Sequence, residues 1–159
     1  MLQFFEPARL LEYIHDFIIF DGGIKKTARP NQYFAVKAAQ PRVRKKQNGI
    51  IWHSQGSGKS LTMVWLAQWI RENVSDARVV IITDRDELDK QIESGFKDVG
   101  EQIQRAKSGG KLIEMLNAAE PWLICTLIHK FGNKNDSDAI SVGNKKASKS
   151  LDLLSLIHI

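Results

Sequence analysis

The chain has 159 residues, of which 43% are hydrophobic and 26% charged, and a formal net charge of +5. This length supports one domain with a sizeable core, and the composition excludes a disordered or fibrous chain. No apolar run is long enough to cross a bilayer, and charged residues interrupt any secretory signal, so we expect no membrane partner. The single cysteine, Cys125, excludes an internal disulfide and favours a reducing, cytoplasmic location. The basic balance suits a polyanionic partner, although excess lysine also simply keeps proteins soluble.

The region before Gly49 contains two predicted helices separated by basic residues. Residues 6–20 follow an amphipathic helical pattern with Pro7 in the first turn, and the glycine pair at 22–23 predicts its end. Residues 32–39 form a second predicted helix that ends before Pro41. The basic residues could contact nucleic acid, but solvated loops are the simpler interpretation. They are Lys25, Lys26, Arg29, Arg42, Arg44, Lys45 and Lys46.

From Gly49 onward, apolar strands alternate with helices. The predicted strands cover residues 49–53, 78–83 and 122–126, and the predicted helices cover residues 59–73, 86–97 and 111–118. The β-branched second strand is typical of a parallel sheet that is covered on both faces. The alternation predicts an α/β fold with a mainly parallel sheet. The tryptophans lie in these packed elements, and we expect them in the core rather than stacked on bases. They are Trp52, Trp65, Trp69 and Trp122.

A glycine-rich turn joins the first of these strands to the helix that follows it. Gly56 and Gly58 would let the backbone curl so that its N–H groups face an anion at the helix N-terminus. Lys59 would reach the β- and γ-phosphates of a nucleotide, and Ser60 would place its hydroxyl on Mg²⁺. The pattern G-x-x-x-x-G-K-[ST] is matched except at its first glycine, where His53 stands.

The flanking strand and helix favour a phosphate-binding loop over a flexible Gly-Ser turn with an incidental lysine. Such a loop alone does not identify the reaction, because many classes of NTPase share it. Lys59 is the candidate catalytic residue and Ser60 the candidate metal ligand. The candidate nucleotide-binding residues of this segment are Gln55, Gly56, Ser57, Gly58, Lys59, Ser60 and Leu61.

Four ordered segments resemble the R (motor) subunit of type I restriction-modification enzymes, which belongs to helicase superfamily 2. These segments are residues 28–36, 53–63, 80–91 and 126–131. In that family the histidine at the first P-loop position is the usual form. The resemblance extends over residues 4–131 and implies a partial RecA-like P-loop NTPase domain that uses ATP and Mg²⁺. It also implies double-stranded DNA and the specificity and methyltransferase subunits as partners.

The resemblance assigns roles to residues outside the P-loop. Gln32 matches the position that reads adenine in this family. The DNA-side segments of the family match Asp84, Arg85, Thr126 and Lys130. Without the resemblance, Asp84 and Arg85 would also fit a plain surface ion pair. The following carboxylates, Asp86 and Glu87, fit a helix start better than an acidic Walker B pair.

The expected organisation has four parts. Residues 1–48 form a helical and basic lead-in, 49–131 a partial first RecA-like motor domain, 132–153 a polar linker, and 154–159 a possible adapter-derived tail. The tail resembles the translation of a transposon-end adapter used in sequencing libraries, and a genuine short strand is the alternative.

These observations predict a fragment of the ATP-dependent DNA translocase and endonuclease subunit of a type I restriction enzyme. The alternatives are a fragment of another superfamily 2 DNA helicase, or a relic that binds nucleotide or DNA without activity. No Asp-Glu-Ala-His-like segment follows Phe131. Because the two carboxylates of that motif hold Mg²⁺ and position the attacking water, we expect the isolated chain to lack ATP hydrolysis.

Overall fold

A computed structural model of the chain describes residues 6–118, 120–131 and 157–158. The chain divides into two compact units. The N-terminal unit runs to Ser75 and includes residues 157–158, and the C-terminal unit begins at Asp76. The helices are α1 Pro7–Asp16, α2 Pro30–Arg44, α3 Lys59–Asn73, α4 Asp86–Asp98 and α5 Gly109–Asn117. The strands are β1 Ile18–Asp21, β2 Ile24–Thr27, β3 Gly49–Ile50, β4 Val79–Thr83, β5 Ile103–Arg105, β6 Leu123–Leu127 and β7 Ile157–His158.

The first helix is shorter than its sequence pattern predicts. It ends at Asp16, and the residues after it form an antiparallel hairpin of β1 and β2 instead of a further helical turn. Gly22 and Gly23 make the turn with φ values of +56° and +83°, which favour glycine in tight two-residue hairpins. The prediction of a helix over residues 6–20 is therefore wrong after Asp16. A run of β-branched and aromatic residues before two glycines suits a strand better than a helix.

Helix α2 continues through Pro41 and ends at Arg44, so the prediction that it stops before the proline is wrong. Pro41 lacks an N–H and removes one helical hydrogen bond, but contacts with α3 hold the last turn. The Arg44 guanidinium lies 5.1 Å from the centre of the Trp69 ring and donates to Asn73 Oδ1 at 3.4 Å. Tertiary contacts thus outweigh the local preference of the proline.

Strand β3 comprises only two of the five residues predicted at 49–53. It pairs in parallel with β7, in the register Gly49 with Ile157 and Ile50 with His158. Beyond β3, Trp52 is 92% exposed, so the expectation that it lies in the core is wrong. Trp65 and Trp69 on α3 are buried as expected.

The C-terminal unit contains the three-stranded parallel sheet that the alternation of elements predicts. Its strand order is β4-β6-β5, and the central strand β6 is buried along its whole length. Strand β5 escapes prediction, because Ile103 is its only apolar residue. The side chains packed under this sheet are Ala106, Leu112, Met115 and Ile124. The α/β fold with a mainly parallel sheet is confirmed, and it is compatible with part of a RecA-like domain.

Two further expectations from the sequence concern membrane-spanning helices and the residues after Phe131. None of the helices among the described residues is long and apolar enough to span a membrane. The predicted linker at 132–153 lies outside the described residues, as does most of the tail at 154–159. The expected domain boundaries and the adapter origin of the tail stay predictions.

The cysteine on β6 should be chemically inert in the folded chain. Cys125 is 0% exposed, and burial, aided by the negative charge of Asp89, raises the pKa of its thiol to about 12. Because only the thiolate attacks a disulfide reagent, labelling with Ellman's reagent at pH 8 should be at least about 100-fold slower than in urea-unfolded chain. Equal rates in the two states would show that β6 is not buried as described.

Candidate nucleotide-binding site

The predicted phosphate-binding loop forms a tight turn in the N-terminal unit between β3 and α3. The Ser57 N–H and hydroxyl both donate to the carbonyl oxygen of Ser54, at 3.3 Å and 2.7 Å. Gly56 and Gly58 have φ values of +77° and +80°, a left-handed conformation that strains other residues. The two glycines that the motif requires therefore stand where the backbone turns.

Helix α3 begins directly after this turn, at Lys59. Gly58 is its N-cap and has no side chain to satisfy the first N–H groups of the helix. Unsatisfied N–H groups and the positive end of the helix dipole make such a terminus receptive to an anion. Lys59, Ser60 and Leu61 are all partly exposed in this first turn. The predicted P-loop residues are thus brought together in one backbone segment.

The side chain of Gln32 holds this loop from the side of α2. Its amide nitrogen donates to the carbonyl oxygens of Ser57 and Gly58, at 3.3 Å and 2.9 Å. Its amide oxygen accepts the backbone N–H of Arg29 at 2.8 Å. Gln32 is only 2% exposed, so its amide is occupied inside the protein. The predicted contact of Gln32 with adenine is not part of this arrangement and stays a prediction.

The contact between Gln32 and the loop leaves no room for a side chain at Gly58. A Cβ built on Gly58 would overlap the Gln32 amide nitrogen, in addition to the strain of the positive φ. Asn31 supports the same loop by donating to the Ser57 carbonyl oxygen at 3.4 Å. Sequence reasoning missed Asn31, and its position beside Gln32 in the segment before the loop is the signal that could have found it.

An open cavity of about 460 Å³ lies against the loop. One wall is the loop backbone from His53 to Ser57, and the rest is formed by Arg29, Asn31 and the exposed Trp52. A positive guanidinium, an amide and an indole ring beside a phosphate-binding turn suit an anionic ligand that also carries a flat ring. Sequence reasoning missed Arg29 and Trp52 as lining residues.

The predicted DNA-side residues belong to the C-terminal unit. Asp84 and Arg85 follow the carboxyl end of β4, and their side chains are 69% and 80% exposed. They form a 3.7 Å ion pair. Thr126 is buried in β6, and its hydroxyl has no hydrogen-bond partner among the described residues. The side chain of Lys130 lies outside the described residues. The DNA contacts of all four residues stay predictions.

One further cluster of possible metal ligands occurs among the described residues. His15, Asp16 and Glu72 bring ligand atoms within 4.8 Å of one another. The Asp16 carboxylate, through its 2.5 Å hydrogen bond, is the main cause of the raised pKa of His15. An ion pair accounts for this arrangement without a metal.

Comparison with known proteins assigns the sequence to a family. The profile of the SWI2/SNF2 ATPase family matches residues 31–156, a range that includes the loop, Gln32 and the parallel sheet. The chain therefore belongs to the SWI2/SNF2 ATPase family.

The individual relatives that the chain resembles include endonuclease subunits of type I restriction enzymes. The chain is 33% identical over 150 residues to the putative type I restriction enzyme MjaIXP endonuclease subunit of Methanocaldococcus jannaschii, covering 87% of this chain and 14% of the relative. It is 28% identical over 160 residues to the SauCOLORF180P endonuclease subunit of Staphylococcus aureus, covering 98% and 17%. The HindI endonuclease subunit of Haemophilus influenzae is 29% identical over 160 residues, covering 89% and 15%. The resemblance to type I restriction subunits is confirmed, and the chain spans about a sixth of the length of these relatives.

The contacts of Gln32 separate two possible roles for this residue. If it holds the loop, Gln32→Ala should weaken both ATP and inorganic tripolyphosphate about tenfold, because two loop carbonyls each lose one hydrogen-bond donor. If it reads adenine, only ATP binding should weaken. Gln32→Glu keeps the acceptor for the Arg29 N–H but removes the donors, and it should weaken both ligands as well.

Isothermal titration calorimetry with both ligands measures these effects. Gln47→Ala is the matched control, because Gln47 is an exposed glutamine of the same unit. Loss of ATP affinity with unchanged tripolyphosphate affinity in Gln32→Ala would contradict the loop-holding role.

Proposed function

We propose that this chain provides the ATP-binding loop of a DNA-translocating motor that serves type I restriction. The observation that carries the proposal is the glycine turn at the start of α3, fixed by Gln32 and open to an anion at the helix N-terminus. The membership of the chain in an ATPase family and its likeness to type I restriction endonuclease subunits support this assignment.

The residues of the loop suit a nucleoside triphosphate with Mg²⁺. The backbone N–H groups after Gly56 and Gly58 would bind phosphate oxygens, and the Lys59 ammonium would neutralise charge at the β- and γ-phosphates. Ser60 offers one hydroxyl oxygen, the type of ligand that Mg²⁺ prefers, and phosphate oxygens and water would complete its shell. When bound, the metal would draw negative charge from the phosphates during cleavage.

The base end of the nucleotide would occupy the cavity beside the loop. Its volume of about 460 Å³ and its lining by Arg29, Asn31 and Trp52 suit a nucleoside, because an indole ring can stack on a base. We assign ATP rather than GTP on the family membership, and Gln32 is the residue to test for contact with adenine.

The remaining parts of the assignment concern partners. Double-stranded DNA would lie against the turn after β4, where Asp84 and Arg85 are exposed, and Thr126 and Lys130 are the further candidates. The complete motor would act with specificity and methyltransferase subunits in the cytoplasm. Another DNA helicase of the same superfamily is the alternative, because the SWI2/SNF2 profile is not restricted to restriction enzymes.

Removing the loop lysine tests nucleotide binding directly. Lys59→Ala should raise the Kd for a fluorescent ATP analogue at least about tenfold, a loss of about 1.4 kcal/mol, because no other group of the loop carries a positive charge. Lys97→Ala is the control, since Lys97 forms an exposed ion pair with Glu93 on α4. Unchanged affinity in Lys59→Ala would contradict the assignment of the loop.

Binding and turnover should be separable in this 159-residue chain. The sequence after β6 contains no glutamate, so no Asp-Glu pair is available there to hold Mg²⁺ and position water. We expect phosphate release to stay at background with or without duplex DNA, while nucleotide binding is measurable. DNA-stimulated hydrolysis by the purified chain would overturn this expectation.

A further inference from the structure

The turn between β4 and α4 carries two exposed charges but has little local support. Asp84 and Arg85 contact each other through a 3.7 Å ion pair between largely exposed side chains. Arg85 is also the N-cap of α4, and its side chain makes no capping hydrogen bond. A surface ion pair of this kind contributes little rigidity. The contacts that fix the turn must therefore come from the residues on either side of it.

A set of charges that includes one buried carboxylate lies beside this turn. Asp89, in the first turns of α4, is 0% exposed, and its carboxylate accepts a hydrogen bond from Arg105 Nε. The same guanidinium donates through Nη2 to Asp86, the first residue of α4. The Thr83 hydroxyl, at the end of β4, donates to the second Asp89 oxygen at 3.5 Å. We call Thr83, Asp86, Asp89 and Arg105 the turn clamp.

The clamp connects the turn to the middle of the sheet. Arg105 is the last residue of β5 and lies in register with Cys125 on the central strand. Its backbone is therefore fixed, while its guanidinium reaches the start of α4. A buried carboxylate without a partner is costly, so the folded state retains the contact between Asp89 and Arg105. That contact restrains both side chains.

The contacts fall on both sides of the exposed pair. Thr83 immediately precedes Asp84, and Asp86 immediately follows Arg85, so the clamp fixes the residue on each side of the pair. Asp86 is also bound by Lys90 at 2.8 Å, and its hydrogen bonds to Lys90 and Arg105 lower its pKa. Asp86 therefore stays charged at neutral pH.

We propose that Arg105 and Asp89 are positioning residues that hold the Asp84–Arg85 turn in one conformation, so that Arg85 meets the phosphate backbone of double-stranded DNA. The inference rests on the proposed DNA-binding role of this turn. Neither Arg105 nor Asp89 needs to contact DNA itself. Their effect is to remove the entropy cost of ordering the turn when DNA binds.

Fluorescence anisotropy of a short DNA duplex at several salt concentrations tests this coupling in the full chain. Arg85→Ala should remove one phosphate contact and reduce the slope of log K against log salt by about 1. Arg105→Ala should give the same reduction although Arg105 is not a contact residue. The double variant should be no weaker than either single variant, because both remove the same contact.

Three further variants distinguish the proposed effect on the turn from a general loss of folding. Arg105→Lys keeps the charge but reaches only one carboxylate, and it should restore part of the affinity. Asp86→Asn leaves the buried Asp89–Arg105 pair intact and should still weaken binding. Lys97→Ala breaks an ion pair at the other end of α4 and should change nothing. Additive losses in the double variant, or an unchanged slope in Arg105→Ala, would overturn the proposal.

Hydrogen exchange separates this proposal from the proposed function. Amides of residues 84–87 should exchange at least about tenfold faster in Arg105→Ala and Asp86→Asn, while those of α5 stay protected. If Arg85→Ala leaves DNA binding unchanged, the DNA role of the turn is wrong, and faster exchange still supports the clamp. Unchanged exchange at residues 84–87 would show that the clamp does not hold the turn.

Discussion

The structure of the site depends most on the Gln32 amide, which donates to the carbonyl oxygens of Ser57 and Gly58, with Asn31 as a second donor to Ser57. These carbonyls belong to the turn that aims the N–H groups of α3 outward. Without the Gln32 donor they would be held less firmly, and the loop could rotate to present oxygens to a phosphate instead. The amide fixes their direction, and the left-handed Gly58 lets it approach closely enough to do so. The contact with Gln32 thus constrains both the conformation of the loop and the residue type at position 58.

Helices α3 and α4 differ in their first residues, and this difference explains why only α3 suits a phosphate. Helix α3 begins with Lys59 and Ser60 and has no acidic residue in its first turn. Helix α4 carries Asp86, Glu87 and Asp89 in its first turn, which satisfy the helix dipole and repel an anion. A helix N-terminus therefore suits an anion at α3 but not at α4. At the start of α4 the positive charges stand on Arg85 just before the helix, on Arg105 of β5 and on Lys90 within the helix.

The parts of the fold that sequence predicts well are those where local and tertiary preferences agree. Helix α3 has the predicted bounds, β4 begins one residue later than predicted, and β6 is shifted by one residue, because their apolar runs suit both the local element and its burial. Strand β5 was missed because its pairing with β6, not its own composition, makes it a strand. Helix α2 passes Pro41 because contacts with α3, invisible in a linear pattern, hold its end.

The candidate site likewise combines residues that the motif names with residues that the motif leaves out. The P-loop pattern predicts nucleotide contacts for the residues from Gln55 to Leu61, and the backbone turns at Gly56 and Gly58 as such a loop requires. It could not show that Gln32 supports the loop or that Trp52 stands in the open, since both depend on where the chain lies in space. Burial also divides the DNA-side candidates, because Thr126 is enclosed in β6 while Asp84 and Arg85 face solvent. A ligand as large as DNA can reach an exposed turn without rearrangement of the sheet, whereas it reaches Thr126 only if β6 is uncovered. Substitutions in the turn and in the charges proposed to fix it are therefore the most direct test of the proposed DNA binding.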